Sequence, residues 1–207
     1  MNFLGRLFPS TKRPTVEEML AVLDGVGIRL RSGIGVQDLF AGAAQDEIER
    51  GGYESLLLRM GDSLDSEGWD EKWYEKGSET RFSDDVWYFN NEAIEGPGSY
   101  TWIIHNLSAL TGGSVAFDSV RDHVDDEAEV AWADVARGGK TERLTFKFNR
   151  DWADPRILDW FQEALSNSGS SRQFAKYNLG QDDLIICKTR EEIAAINTAT
   201  GLGFSVV

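Results

Sequence analysis

Between Ser99 and Leu110 the apolar residues Tyr100, Ile103, Ile104, Leu107 and Leu110 recur at the spacing that lines one face of an α-helix. Gly112-Gly113 follows and predicts its end. A second helix is predicted from about 16 to 24, with Met19, Leu20 and Leu23 as its apolar face. It opens on Thr15-Val16-Glu17-Glu18, the spacing of a capping box, in which the Thr hydroxyl and the Glu carboxylate each accept a backbone N–H that a helix start leaves free. Gly25 and Gly27 close it. Thr189-Arg190-Glu191-Glu192 repeats the capping pattern and predicts a helix ending at Gly201. Asp154-Pro155 predicts another helix, with Asp as its cap, Pro in its first turn, and Ile157, Leu158, Phe161 and Leu165 facing the core.

Period-two alternation predicts strands. Val115 with Phe117, then Ala128, Val130 and Trp132, then Leu144, Phe146 and Phe148 each read as one face of a strand. Arg137-Gly138-Gly139-Lys140 reads as a hairpin turn, because glycine reaches positive φ without a steric cost. Further strands are expected at Val86–Phe89, near Gln173–Leu179, at Leu184–Cys187 and at about 203–207. The stretch from Ile28 to Gly61 is less regular: a short strand at Ile28–Arg31, helical segments around Val36–Arg50, and an apolar run at Leu56–Leu58 of ambiguous period. Residues 62–84 read as a long surface loop or a short helix around Trp69–Tyr74. Strands grouped together and flanked by helices, without regular β-α alternation, indicate an α+β fold whose antiparallel sheet is covered by helices on one face. One domain over 1–207 is expected, with a division near residue 95 as the alternative.

Charge changes this picture of an ordinary globular chain. Of its 35 acidic residues, fifteen lie between Asp46 and Glu95 against five Lys or Arg, and seven lie between Asp118 and Asp134 against Arg121 alone. These stretches carry −10 and −6, and the rest of the chain sums to +2. The chain has no basic cluster of the kind that binds nucleic acid by releasing counterions, so neither DNA nor RNA is an expected partner. The single Cys187 sits in an apolar run, which forbids internal disulfides and suits a reducing compartment. The start, Met1 to Phe8, has too short an apolar stretch for a signal peptide, and its basic residues follow the apolar ones. A cytoplasmic protein without a membrane span is expected.

Motifs for chemistry are weak. Gly138-Gly139-Lys140-Thr141 ends like a phosphate-binding loop, but Asp134 occupies the position of the required first glycine and the segment lies between two strands. Gly25-Val26-Gly27 lacks the third glycine of a dinucleotide fingerprint. Cys187, His105 and His123 are too few for a structural zinc site, and a calcium loop centred on Gly68 would put Ser63 and Tyr74 where acids are required. No cofactor is expected. His105 reads as a boundary residue of its helix. His123, among carboxylates, is the one candidate acid or base, and supports an enzyme as a third class of reading.

The constellation that remains is acidic and aromatic. Trp69, Trp73 and Tyr74 stand among Asp65, Glu67, Asp70 and Glu71, with Asp84 and Asp85 following. Carboxylates speed the encounter with a basic partner, and aromatics supply the buried contacts that hold it. These nine residues are therefore the expected partner-binding surface. In profile the chain resembles the small acidic bacterial immunity proteins of toxin/immunity pairs. That resemblance implies a non-catalytic protein that covers a basic toxin with its acidic aromatic surface. An adaptor or assembly subunit binding a basic host protein is the alternative.

Overall fold

A computed structural model describes residues 13–40, 43–63 and 81–207. In chain order these residues form α1 (Val16–Gly25), a single 3₁₀ turn (Val36–Phe40), α2 (Gln45–Gly61), β1 (Val86–Asn90), α3 (Ser99–Leu110), β2 (Ser119–Asp125), β3 (Val130–Arg137), β4 (Lys140–Phe146), α4 (Arg156–Asn167), β5 (Arg172–Asn178), β6 (Asp182–Thr189), α5 (Arg190–Thr200) and β7 (Ser205–Val206). The fold is α+β with two antiparallel sheets. One runs β1-β6-β5-β7, the other β2-β3-β4.

Strand β6 explains the layering. Its apolar run Leu184 to Cys187 is buried on both sides, as an uninterrupted hydrophobic strand must be. Leu184 and Ile186 join Val86 and Ala175 in one core, which α1, α2 and α5 cover through Met19, Leu23, Leu56, Leu57, Met60 and Ile196. Ile185 and Cys187 face a second core with Trp87 and Phe174, closed by Ile103 and Leu107 of α3 and by Phe161 and Leu165 of α4. The inward side chains of the three-stranded sheet, Val124, Ala131, Ala133, Val135, Leu144 and Phe146, belong to that second core. The smaller sheet thus has its helices on one face, while the larger one is packed on both.

Caps fix where the helices begin. Both capping boxes form: Thr15 Oγ1 and Thr189 Oγ1 each accept an N–H three residues on, at 3.2 Å, and Glu18 and Glu192 accept from the threonine backbones at 2.8 and 2.7 Å. Helix α3 begins after Gly98 with no cap of its own, and Asp122 of β2 takes that role by accepting the N–H of Gly98 at 2.7 Å and of Thr101 at 3.0 Å. One carboxylate therefore pins the small sheet to α3.

Several local expectations are corrected. Ile28–Arg31 forms no ladder; Arg31 N–H makes one bond, to the Phe82 carbonyl at 2.8 Å. Val115 and Phe117 precede β2, because the chain first wraps the end of α3, where the Thr111 hydroxyl accepts the N–H of Val115 at 3.1 Å. In β3 the buried side chains are Ala131, Ala133 and Val135, not Ala128, Val130 and Trp132. Glu129, at φ 54°, turns the chain just before the strand, and three small residues fill the inner face while the Trp stays outside. Strand β4 ends at Phe146, before Phe148. Helix α4 starts one residue late, with Pro155 at its cap position, although Asp154 still accepts the N–H of Arg156 at 3.0 Å. The Gly138-Gly139 hairpin forms as expected, with φ 57° and 75°.

Candidate functional site

Of the nine expected partner-binding residues, Asp65, Glu67, Trp69, Asp70, Glu71, Trp73 and Tyr74 lie outside the described residues. The two ends of that segment are defined: Ser63 and Arg81 pair as an antiparallel bridge, so the chain leaves and re-enters at one point. The surroundings hold this junction. Arg59 reaches Asp62 at 3.2 Å and lays its guanidinium over the Phe82 ring, 4.2 Å from the centroid. Arg31 pairs with Asp84 at 3.0 Å, and both remain exposed to solvent. Asp85 differs from its neighbour. One of its oxygens accepts from Lys188 Nζ at 2.6 Å and the other from the N–H of Arg29 at 3.0 Å. Lys188, whose side chain is 4% exposed, also donates to the Gly27 carbonyl at 2.6 Å. Asp84 stays at the surface, paired with Arg31, whereas Asp85 ties three stretches of chain together.

Acids are also exposed at the start of α2. Asp46 and Glu47 are exposed in its first turn, where the helix dipole favours negative charge, and Arg50 returns to Asp46 at 3.1 Å. The helix is broken inside: Gly52 has φ 65° and ψ −145°, a conformation that interrupts the helical hydrogen-bond run. Before the break only Ile48 is buried, a contribution of about 2 kcal/mol. Beyond it lie Leu56, Leu57 and Met60, all at 0% exposure.

The second acidic stretch divides by use. Asp122 caps α3, and Asp134 is clamped between two arginines, accepting from Arg143 at 2.7 and 2.8 Å and from Arg121 at 2.9 Å. Those arginine bonds, Arg143 first, hold the Asp134 carboxyl well below the usual carboxylate range. Arg143 also stacks on Trp132, 3.7 Å from its centroid, and His123 stacks beside the same ring at 5.4 Å. The candidate acid or base is thus one rung of a cross-strand ladder. Asp126, Glu127 and Glu129 stay exposed at the β2–β3 turn, and Asp125 closes the turn by accepting the N–H of Ala128 at 2.9 Å.

Other groups capable of chemistry are engaged or buried. His105 is half-buried on α3, and burial lowers its pKa. Burial pushes the Cys187 thiol up to about 11, the opposite of nucleophile activation. A cavity of about 20 Å³ opens beside Trp87, Ile103, Lys176 and Asp183, which is room for one water. Its carboxylates already have partners: Asp183 accepts from Asn178 at 2.9 Å, Asn91 at 3.1 Å and Lys176 at 3.3 Å, and Asp154 accepts the N–H of Lys147 at 2.6 Å and pairs with Arg156. Among the described residues no group of three or more His, Cys, Asp or Glu is gathered to hold a metal, and no helix is long and apolar enough to cross a membrane.

Sequence reasoning missed the Asp85–Lys188 pair, the Arg121–Asp134–Arg143 clamp and the break at Gly51-Gly52. Only the last had a local signal, two adjacent glycines inside a helical pattern. Comparison with known protein families, with curated proteins and with solved structures finds no match to this chain.

Proposed function

We propose that this chain is a non-catalytic binding protein that holds a basic protein through its acidic surface, in the manner of the immunity proteins it resembles in profile. The observation that carries the reading is the concentration of fifteen acidic residues between Asp46 and Glu95. Two features of the fold support it. The ends of residues 64–80 meet at the Ser63–Arg81 bridge, with Asp84 exposed just after it, and Asp46 and Glu47 add exposed acids at the start of α2. A partner rich in Lys and Arg would find charge for steering there and, in Trp69, Trp73 and Tyr74, the residue types that dominate binding energy.

The test is co-purification with the product of the neighbouring gene, followed by titration at rising salt. Dissociation constants are expected to rise about tenfold or more as ionic strength passes through the range that shortens the Debye length from about 30 to 8 Å. Replacing Asp70, Glu71 and Asp84 with Ser should weaken binding in the same direction while leaving stability nearly unchanged. A complex indifferent both to salt and to these substitutions would remove the acidic surface from recognition.

A further inference from the structure

We infer that Gln45–Gly51, the first half of α2, is an arm that opens and recloses about Gly52 independently of the second half. On the basic-partner reading above, on which this last clause rests, it is the part of the acidic surface that adjusts to the partner.

Two glycines build the joint for different reasons. Gly52 needs a backbone conformation, φ 65° with ψ −145°, that side-chain-bearing residues avoid. Gly51 needs space: a Cβ there would stand 1.7 Å from Ser55 Oγ and 2.6 Å from Ser55 Cβ, because the bend folds the next turn back against it. The helical hydrogen-bond run does not pass through such a residue, so the halves meet at the packing of Ser55 on Gly51 and share no continuous ladder.

The halves are anchored unequally. After the joint, Leu56, Leu57 and Met60 are fully buried, Glu54 accepts from the Tyr177 hydroxyl at 2.7 Å, and Gly61 lies so close to β1 that a Cβ would sit 2.6 Å from the Tyr88 nitrogen. Before it, Ile48 alone enters the core. Asp46, Glu47 and Arg50 face water, and the bonds among Gln45, Asp46, Glu49 and Arg50 stay within the arm. A helix of about two turns does not sustain itself in water. Its helicity therefore depends on one side chain, and release of Ile48 frees Asp46, Glu47 and Glu49 to move together.

Hydrogen exchange on the full chain, read by mass spectrometry, tests this without any partner. Amides of Gln45–Gly51 are expected to exchange at least about tenfold faster than those of Glu54–Gly61. Protection equal within about twofold across the joint would overturn the arm. The Gly52→Ala variant supplies a second readout. Its exchange should rise in Gln45–Gly51 and stay unchanged in Glu54–Gly61, whereas loosening that spreads past the joint would show one rigid, bent helix. Since no partner is present, failure here removes the arm and leaves the binding reading standing, and failure of co-purification does the reverse.

Discussion

Asp84 and Asp85 are adjacent and chemically identical, yet their environments give them opposite roles. Asp84 pairs with Arg31 at the surface, where such bridges contribute about 0–1 kcal/mol. Asp85 faces the ammonium of Lys188, a side chain buried from solvent. Asp84→Ser should therefore shift stability by no more than about 0.5 kcal/mol, and Asp85→Ser should cost about 2–4 kcal/mol, read from urea unfolding. Equal effects would show that the Lys188 pair is not what holds the junction. Asp154 offers a pH test. Burial raises its pKa, but the Arg156 side chain and the N–H groups of Lys147 and Arg156 outweigh that, and the net shift is downward. A carboxyl lowered in the fold contributes stability above its unfolded value of about 4 and loses it as pH falls below that through the folded value. The melting temperature of the native chain should thus fall more steeply than that of Asp154→Asn between about pH 5 and 2. Parallel curves would assign the acid sensitivity to other groups.

Helices carried the clearest local signals, and the reason is visible in α1, α3 and α5. The caps of α1 and α5 and the apolar spacing of α3 come from residues close in sequence, so Thr15 with Glu18, or Tyr100 with Ile103 and Leu107, announce them without knowledge of the rest. The strands of the small sheet were less legible, since which face of β3 turns inward is decided by partners far along the chain. Trp132 looks like a core residue until Arg143, eleven positions later, is found lying over it. Asp122 was equally opaque, because its helix is α3 and its strand is β2. Glycines show the same division between local and distant causes. A methyl added at Gly25 in α1 would meet nothing within 4 Å, and Gly25→Ala should stabilise by about 0.5–1 kcal/mol. Gly61 is also helical, but its methyl would meet the backbone of β1, so Gly61→Ala should destabilise by about 1–3 kcal/mol. Thermal unfolding of the two variants is expected to move in opposite directions.

At the scale of the molecule, the two cores share one wall. Strand β1 lies before residue 95 and pairs with β6 after it, in the order β1-β6-β5-β7, and β6 contributes alternate residues to both cores. Unfolding should therefore be one cooperative event. Far-UV circular dichroism, which follows the helices on both sides, and intrinsic tryptophan fluorescence, to which Trp87, fully buried in the second core, contributes, should give coincident urea transitions. Separate midpoints would divide the molecule into independent units. The charge that marks the candidate surface was fully legible in the sequence, whereas the internal use of Asp85, Asp122 and Asp134 was not, because a carboxylate's partners are set by folding. The shared wall also bears on synthesis. On the ribosome the apolar strand Val86–Asn90 emerges with both edges open, and the strand that must lie beside it, Asp182–Thr189, is translated about ninety residues later. Neither core can close before β6 emerges, so the nascent chain is expected to carry β1 unpaired over that interval, the kind of surface that chaperones recognise.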